Sequence, residues 1–282
     1  MMRWQRKSAL ALVLALAHGL AAAAIAPEAA QELVKKSGLW LEMDSLGAQV
    51  RAGMASALAR NGGAVPQATK TRLLDCASTA YAADALRATA VDAVAGALQP
   101  ADVPVLVAWY DSELGHRVAN LEQASSAKVA DPAERLRRGA QLLQTASAGR
   151  KASLQAMITE TRSADVMADT AIEMAIAVRE GLASADPSAT PGAIADIKAA
   201  LDAQRPQLVA RYAQMGLPAY AFAYDGLNDD DLERNADYLA SVAAKAYSDA
   251  SVRGVARALT DASVRLGRCL KDVKDTGAAK AP

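Results

Sequence analysis

Apolar side chains recur along this chain at steps of three and four. Trp40, Met43, Gly47, Val50, Met54 and Leu58 fall on one stripe, the spacing of an amphipathic helix. Asn61-Gly62-Gly63 then supplies a stop signal. Val103, Leu106, Val107, Tyr110, Leu114, Val118 and Leu121 repeat the pattern and predict one continuous helix from near Pro100. Val252, Val255, Leu259, Ser263, Leu266 and Leu270 form a third stripe, with Cys269 beside it. Runs of β-branched residues bounded by turns, which would signal strands, do not occur. The pattern predicts an all-α chain, a single compact bundle of about eight or nine helices.

Breaks are expected where Pro and Gly gather. "NGGAVPQ" (61–67) separates two helices, and "SADPSATPG" (184–192) is the clearest loop. "GLP" (216–218) and "DGLN" (225–228) frame a short segment between them. The first thirty residues pair Arg3, Arg6 and Lys7 with an apolar run from Ala9 to Ala17 and small residues up to Ala26. That order is a signal peptide, residues 1–24, too short in its apolar part to anchor in a bilayer. The mature protein is expected to start between Ala23 and Pro27, with one helical domain over 27–275 and a disordered tail at 276–282. About 255 mature residues fit a single core.

The chain also resembles itself. "VRAGM" (50–54) aligns with "VREGL" (178–182), and "LQPADV" (98–103) with "LNDDDL" (227–232). Trp109 then meets Tyr238, and Ser112 meets Ser241. Gln99 and Asn228 fall at the caps, Pro100 and Asp229 at the first helical positions. Two degenerate repeats follow, over about 37–125 and about 165–253.

Charge narrows the partners. Lys plus Arg and Asp plus Glu both number 31, and removing the leader leaves a net charge of about −3. No basic face is evident, so no nucleic-acid partner is expected. No later apolar run is long enough to span a membrane. Cys76 and Cys269 are too far apart for a redox or zinc motif. In an oxidising compartment a structural disulfide is the simplest reading, and two buried free thiols are the alternative.

The stretch "AWYDSELGHR" (108–117) gathers catalytic residue types. On a continuous helix they radiate around the axis instead of converging. Tyr110 lies on the apolar stripe, Trp109, Glu113 and His116 lie on a flank, and Ser112 bonds a nearby carbonyl. Gly115 marks a close crossing by another helix. The surrounding "LQPADVPVLVAWYDSELGHRVANLE" resembles the bacterial domain of unknown function 2059 family, through its pattern aromatic-Tyr-x-Ser-x-x-Gly. Trp109, Tyr110, Ser112 and Gly115 match, over roughly residues 70 to 125 with an echo at 227–252. Trp109 replaces a Phe, and Ala244 replaces the glycine of the echo. The resemblance implies an all-helical envelope protein made with a signal peptide. It implies no reaction and carries over no catalytic residue.

No other stretch supplies a reaction centre. His116 is the one histidine left after the leader is removed, and a flank position argues for surface. "DGLNDDDLE" (225–233) lacks the order of a calcium loop; its acids suit a first helical turn. No metal, cofactor or catalytic set is expected. In "YAQMGLPAYAFAYDG" (212–226), Tyr220 and Tyr224 share a helix face and Phe222 points elsewhere. These three are either core or the lining of an apolar groove with hydroxyls at its rim. The sequence therefore points to a non-enzymatic periplasmic or secreted protein that binds an envelope protein or an amphipathic ligand. The alternative is a hydrolase or transferase built on carboxylates, although no spacing singles out a pair.

Overall fold

A computed structural model describes residues 24–61, 65–128, 131–184 and 191–278. These residues are helical, with no strand among them. In chain order the helices are α1 (Pro27–Lys36), α2 (Leu39–Asn61), α3 (Gln67–Ala80), α4 (Ala83–Ala97), α5 (Asp102–Tyr110) and α6 (Glu113–Lys128). There follow α7 (Pro132–Thr145), α8 (Ala148–Thr161), α9 (Ser163–Ser184), α10 (Pro191–Ala223), α11 (Asp229–Ala240) and α12 (Val242–Ala278). The leader lies outside the described residues.

Among the described residues twelve helices replace the expected eight or nine, because several corners are too short to announce themselves. Helix α8 ends at Arg162, in the left-handed region with φ 48°, and α9 begins at the next residue. Helices α5 and α6 are parted by Asp111 and Ser112 alone. The continuous helix expected from Pro100 is therefore broken inside its motif, and it starts later, at Asp102. There Ala101, not Gln99, stands at the cap position, and the Asp102 carboxylate accepts the Gln99 N–H at 2.9 Å. At α11 the expected cap holds: the Asn228 side chain accepts the Asp231 N–H at 2.7 Å.

Proline errs in the other direction. The break expected at "GLP" does not occur, since α10 carries both Pro206 and Pro218 in its interior. An interior proline removes one ladder hydrogen bond. Packing of α10 on α9, α7 and α8 holds the helix together across both sites.

Helix α12 is the spine, packing on α9, α4 and α3. It crosses α9 closely: a Cβ added to Gly267 would lie 2.3 Å from the Val178 carbonyl oxygen, and one on Gly181 2.2 Å from that of Val264. One apolar cluster joins α2, α3, α4, α9 and α12 through Met43, Cys76, Tyr81, Leu86, Leu259 and Leu266. The stripes read from sequence meet here. Ser263 is fully buried, donating to the Leu259 carbonyl at 2.8 Å and lying 2.6 Å from the Tyr81 hydroxyl. Cys76 and Cys269 are joined as a disulfide, tying α3 to α12. A second cluster packs α1 on α4, α5 and α12 around Leu33, Val94, Leu98 and Leu106. Ile25 belongs to it and donates its N–H to the Ala95 carbonyl at 3.1 Å. A third gathers α6, α8, α10 and α11 around Leu154, Met157, Tyr224 and Leu232. The second and third clusters leave a cleft between them.

Candidate functional site: a tyrosine-lined cleft with two carboxylates

The α5–α6 corner forms one wall. Ser112 caps α6: its hydroxyl accepts the Gly115 N–H at 3.0 Å and donates to the Trp109 carbonyl at 2.6 Å. That fold-back presses the Trp109 carbonyl against Gly115. A Cβ there would lie 2.0 Å from this oxygen, so only glycine fits. The close neighbour is thus the preceding turn of the chain, not a crossing helix as the spacing implied. Two of the corner's bonds recur at the start of α12: the Ser241 hydroxyl accepts the Ala244 N–H at 3.3 Å, and the Ser241 N–H reaches the Tyr238 carbonyl at 2.9 Å, as the Ser112 N–H reaches that of Trp109 at 2.9 Å. Between the two corners Trp109 stacks on Tyr238, with ring centroids 4.0 Å apart and planes 8° apart.

The break sends the motif's side chains to different places. Trp109, Ser112 and Glu113 line an outer hollow of about 560 Å³ with Arg117 and Arg234. Tyr110 faces inward, meeting Tyr238 and Tyr247 edge-on at 6.3 and 5.9 Å. His116 is exposed and lines neither space. The outer hollow is the roomier, but its arginines are committed. Both pair with Asp231, which is only 3% exposed and whose carboxyl they hold below its ordinary value, Arg234 first.

Inward lie two adjoining cavities of about 390 and 210 Å³. They share two wall residues, Glu42 of α2 and Glu122 of α6. Tyr220, Phe222 and Tyr224 all face the larger one, together with Met215, Leu136 and Arg135. The sequence pattern separated Phe222 from the two tyrosines; the structure brings all three to one cavity. Tyr110, Tyr238, Tyr247, Ser251 and Val252 face the smaller one.

The electrostatics of the shared wall set this cleft apart. Glu122 is pushed up to about 7, chiefly by burial, against a hydrogen bond from the Tyr224 hydroxyl. Glu42 is also pushed up by burial. Its side chain is open to solvent, but it opens into the cleft, with protein on most sides. No hydrogen bond or ion pair reaches the Glu42 carboxylate among the described residues. Tyr238 and Ser251 also line the smaller cavity, but their hydroxyls are turned into the protein, beside those of Tyr110 and Tyr247. Burial drives the Tyr110 and Tyr224 hydroxyls well above the usual phenol value and takes Tyr247 up to about 12. All three remain protonated donors.

Arg150 on α8 fixes the aromatic wall. Its guanidinium donates to the Tyr224 and Leu227 carbonyls, each at 2.8 Å, and pairs with Asp229 at 3.2 Å. Of the acidic run that resembled a metal loop, Asp229 and Asp231 are taken up in ion pairs at the start of α11, which Asn228 caps. Among the described residues no group of three or more His, Cys, Asp or Glu side chains is placed to hold a metal ion, and no helix is long and apolar enough to cross a membrane. Glu42 and Glu122 were missed from sequence because they sit on different helices, where no spacing links them. No family model, curated protein or solved structure matches this chain.

Proposed function

We propose that this chain is a non-catalytic binding protein of the cell envelope, and that it holds a small amphipathic ligand in the tyrosine-lined cleft. One observation carries the reading: Glu42 and Glu122 share the wall of two adjoining cavities that are otherwise lined by tyrosines and apolar side chains. The apolar lining, through Leu136, Met215, Leu239 and Val252, suits the remainder of such a molecule. The test is native mass spectrometry on protein purified from the periplasm, beside Ser251→Leu, which fills the smaller cavity. A small-molecule adduct on the wild type that the variant lacks is expected. A wild-type spectrum without any adduct sinks the reading.

A carboxylate-dependent hydrolase or transferase is the second reading, favoured by the near-neutral value of Glu122. Such enzymes drive their two carboxyl values apart, keeping one acid protonated and one ionised. Here both are pushed in the same direction, which favours binding.

Export is part of the same proposal. The leader pattern supports it, and the Cys76–Cys269 bond suits an oxidising compartment. The burial of Ile25 supports cleavage at or before Ala24, and N-terminal sequencing of the periplasmic fraction tests it. Kinship with the domain of unknown function 2059 family is retained as a proposal, supported by the structural roles of Ser112 and Gly115. Internal duplication is retained likewise, supported by the matching bonds at Ser112 and Ser241 and by the Trp109–Tyr238 stack between them.

A further inference from the structure

We infer that the ligand of this cleft carries an alkylammonium group, seated between Glu42 and Glu122 and bounded by tyrosine rings. The inference rests on the proposed binding function and names the chemistry of what is bound. Its first support is charge. Two carboxylates face one space, and neither has a cationic partner. Among the described residues the Glu122 carboxylate receives the Tyr224 hydroxyl alone, and the Glu42 carboxylate receives no bond.

The nearby cations are occupied elsewhere. Arg87 pairs with Asp44 and Asp84. Lys36 pairs with Asp111 and Glu32. Arg135 faces the larger cavity and has a partner of its own. An anionic ligand would meet two negative charges and no free positive one.

The walls are the second support. Tyr110, Tyr220, Tyr224, Tyr238 and Tyr247 all face the two cavities. Their ring faces attract an organic cation, most strongly where water is excluded. A bare divalent metal ion would need six or so oxygen ligands in a fixed arrangement, which two carboxylates and scattered phenols do not provide. An ammonium is less exacting: it donates up to three hydrogen bonds in whatever directions acceptors lie. The two carboxylates accept from it, and the apolar side chains take the alkyl part.

The acidities agree. Glu42 and Glu122 both stand above their ordinary values because burial is uncompensated. A cation beside Glu122 would bring its carboxyl down from about 7, so binding near neutral pH releases a proton from it.

The experiment is calorimetric titration of the mature protein at pH 7 with hexylamine, 1-hexanol and hexanoate, in two buffers of different ionisation enthalpy. Hexylamine is expected to bind at least about tenfold more tightly than 1-hexanol, with proton release read from the buffer difference. Glu42→Gln and Glu122→Gln should each weaken hexylamine by about tenfold and narrow its preference over 1-hexanol. If 1-hexanol or hexanoate binds as tightly as hexylamine, the ammonium assignment fails while the cleft stands as a binding site. If none of the three binds the wild type, both the assignment and the binding function fall. The wild-type comparison decides this without either variant.

Discussion

Replacing Glu122 by Gln should stabilise the protein, and only above the acid range. The carboxyl titrates near 4.5 in an unfolded chain and is raised to about 7 in the folded one. Below about pH 4.5 both states hold the proton and the group contributes nothing. Between about 4.5 and 7 the folded state keeps a proton that the unfolded state has lost, so stability falls as pH rises. Above about 7 the whole penalty stands. A rise from 4.5 to about 7, at about 1.4 kcal/mol per unit, is roughly 3 kcal/mol. Glu122 faces a cleft that water enters, which reduces this to about 1–2 kcal/mol. Glutamine keeps an acceptor for the Tyr224 hydroxyl and adds no charge. For a domain of this size the melting temperature should rise by roughly 3–6 °C at pH 8, and by less than about 1 °C at pH 4.5. Calorimetric melts of wild type and variant across that range are the assay. An equal loss of stability at both pH values would mean that the native carboxylate is held ionised by a partner. The account of an uncompensated acid pair would then be wrong.

Gly115→Ala should cost about 2–4 kcal/mol in thermal melts, since the new methyl overlaps the Trp109 carbonyl and the corner must open. His116→Ala, one residue on and exposed, should stay within about 0.5 kcal/mol and serves as the control. Arg150→Met should lose about 2–3 kcal/mol with its two carbonyl bonds and the Asp229 pair. It should also weaken hexylamine, because the Tyr224 end of α10 is no longer held. The double variant Cys76→Ser with Cys269→Ser releases a loop with a sequence separation of 193. It should lower stability by about 4–5 kcal/mol in the chain-entropy account, read as a shift of the urea midpoint.

The helices and the principal core were legible in the chain because alanine-rich segments with a clear apolar stripe leave little choice. The stripe through Met43, Val50 and Met54 packs against that through Val255, Leu259, Leu266 and Leu270 in one cluster. What misled was punctuation. Pro218 reads as a stop, yet α10 continues through it, because one missing donor is a small loss beside packing against three helices. Ser112 reads as an interior serine, yet it caps a new helix. Its short side chain competes with the backbone for hydrogen bonds, and that competition starts a helix as readily as it decorates one. The run Ser-Glu-Leu-Gly after an aromatic pair carried the signal, with an acid in the first turn of α6.

The site was half legible. Tyr220, Phe222 and Tyr224 stand close in sequence and drew attention together. Glu42 and Glu122 did not, because a carboxylate on a helix normally reads as a solvated face. Only the packing turns these two faces toward each other. The distribution of tyrosine gives the reason the cleft exists. The chain has 7 tyrosines, and Tyr110, Tyr220, Tyr224, Tyr238 and Tyr247 all border the two cavities. Elsewhere the helices meet through alanine and glycine, and at the α9–α12 crossing their backbones nearly touch. Where α10, α11 and α12 begin or end, large rings stand in place of methyl groups and hold those helices apart. Alanine in their place would let the helices close and would bury two unpaired carboxylates, which is far more costly than leaving them facing a cleft. The same rings that keep the cavity open supply its donors and its electron-rich faces. In this bundle the spacing device and the recognition surface are one set of side chains.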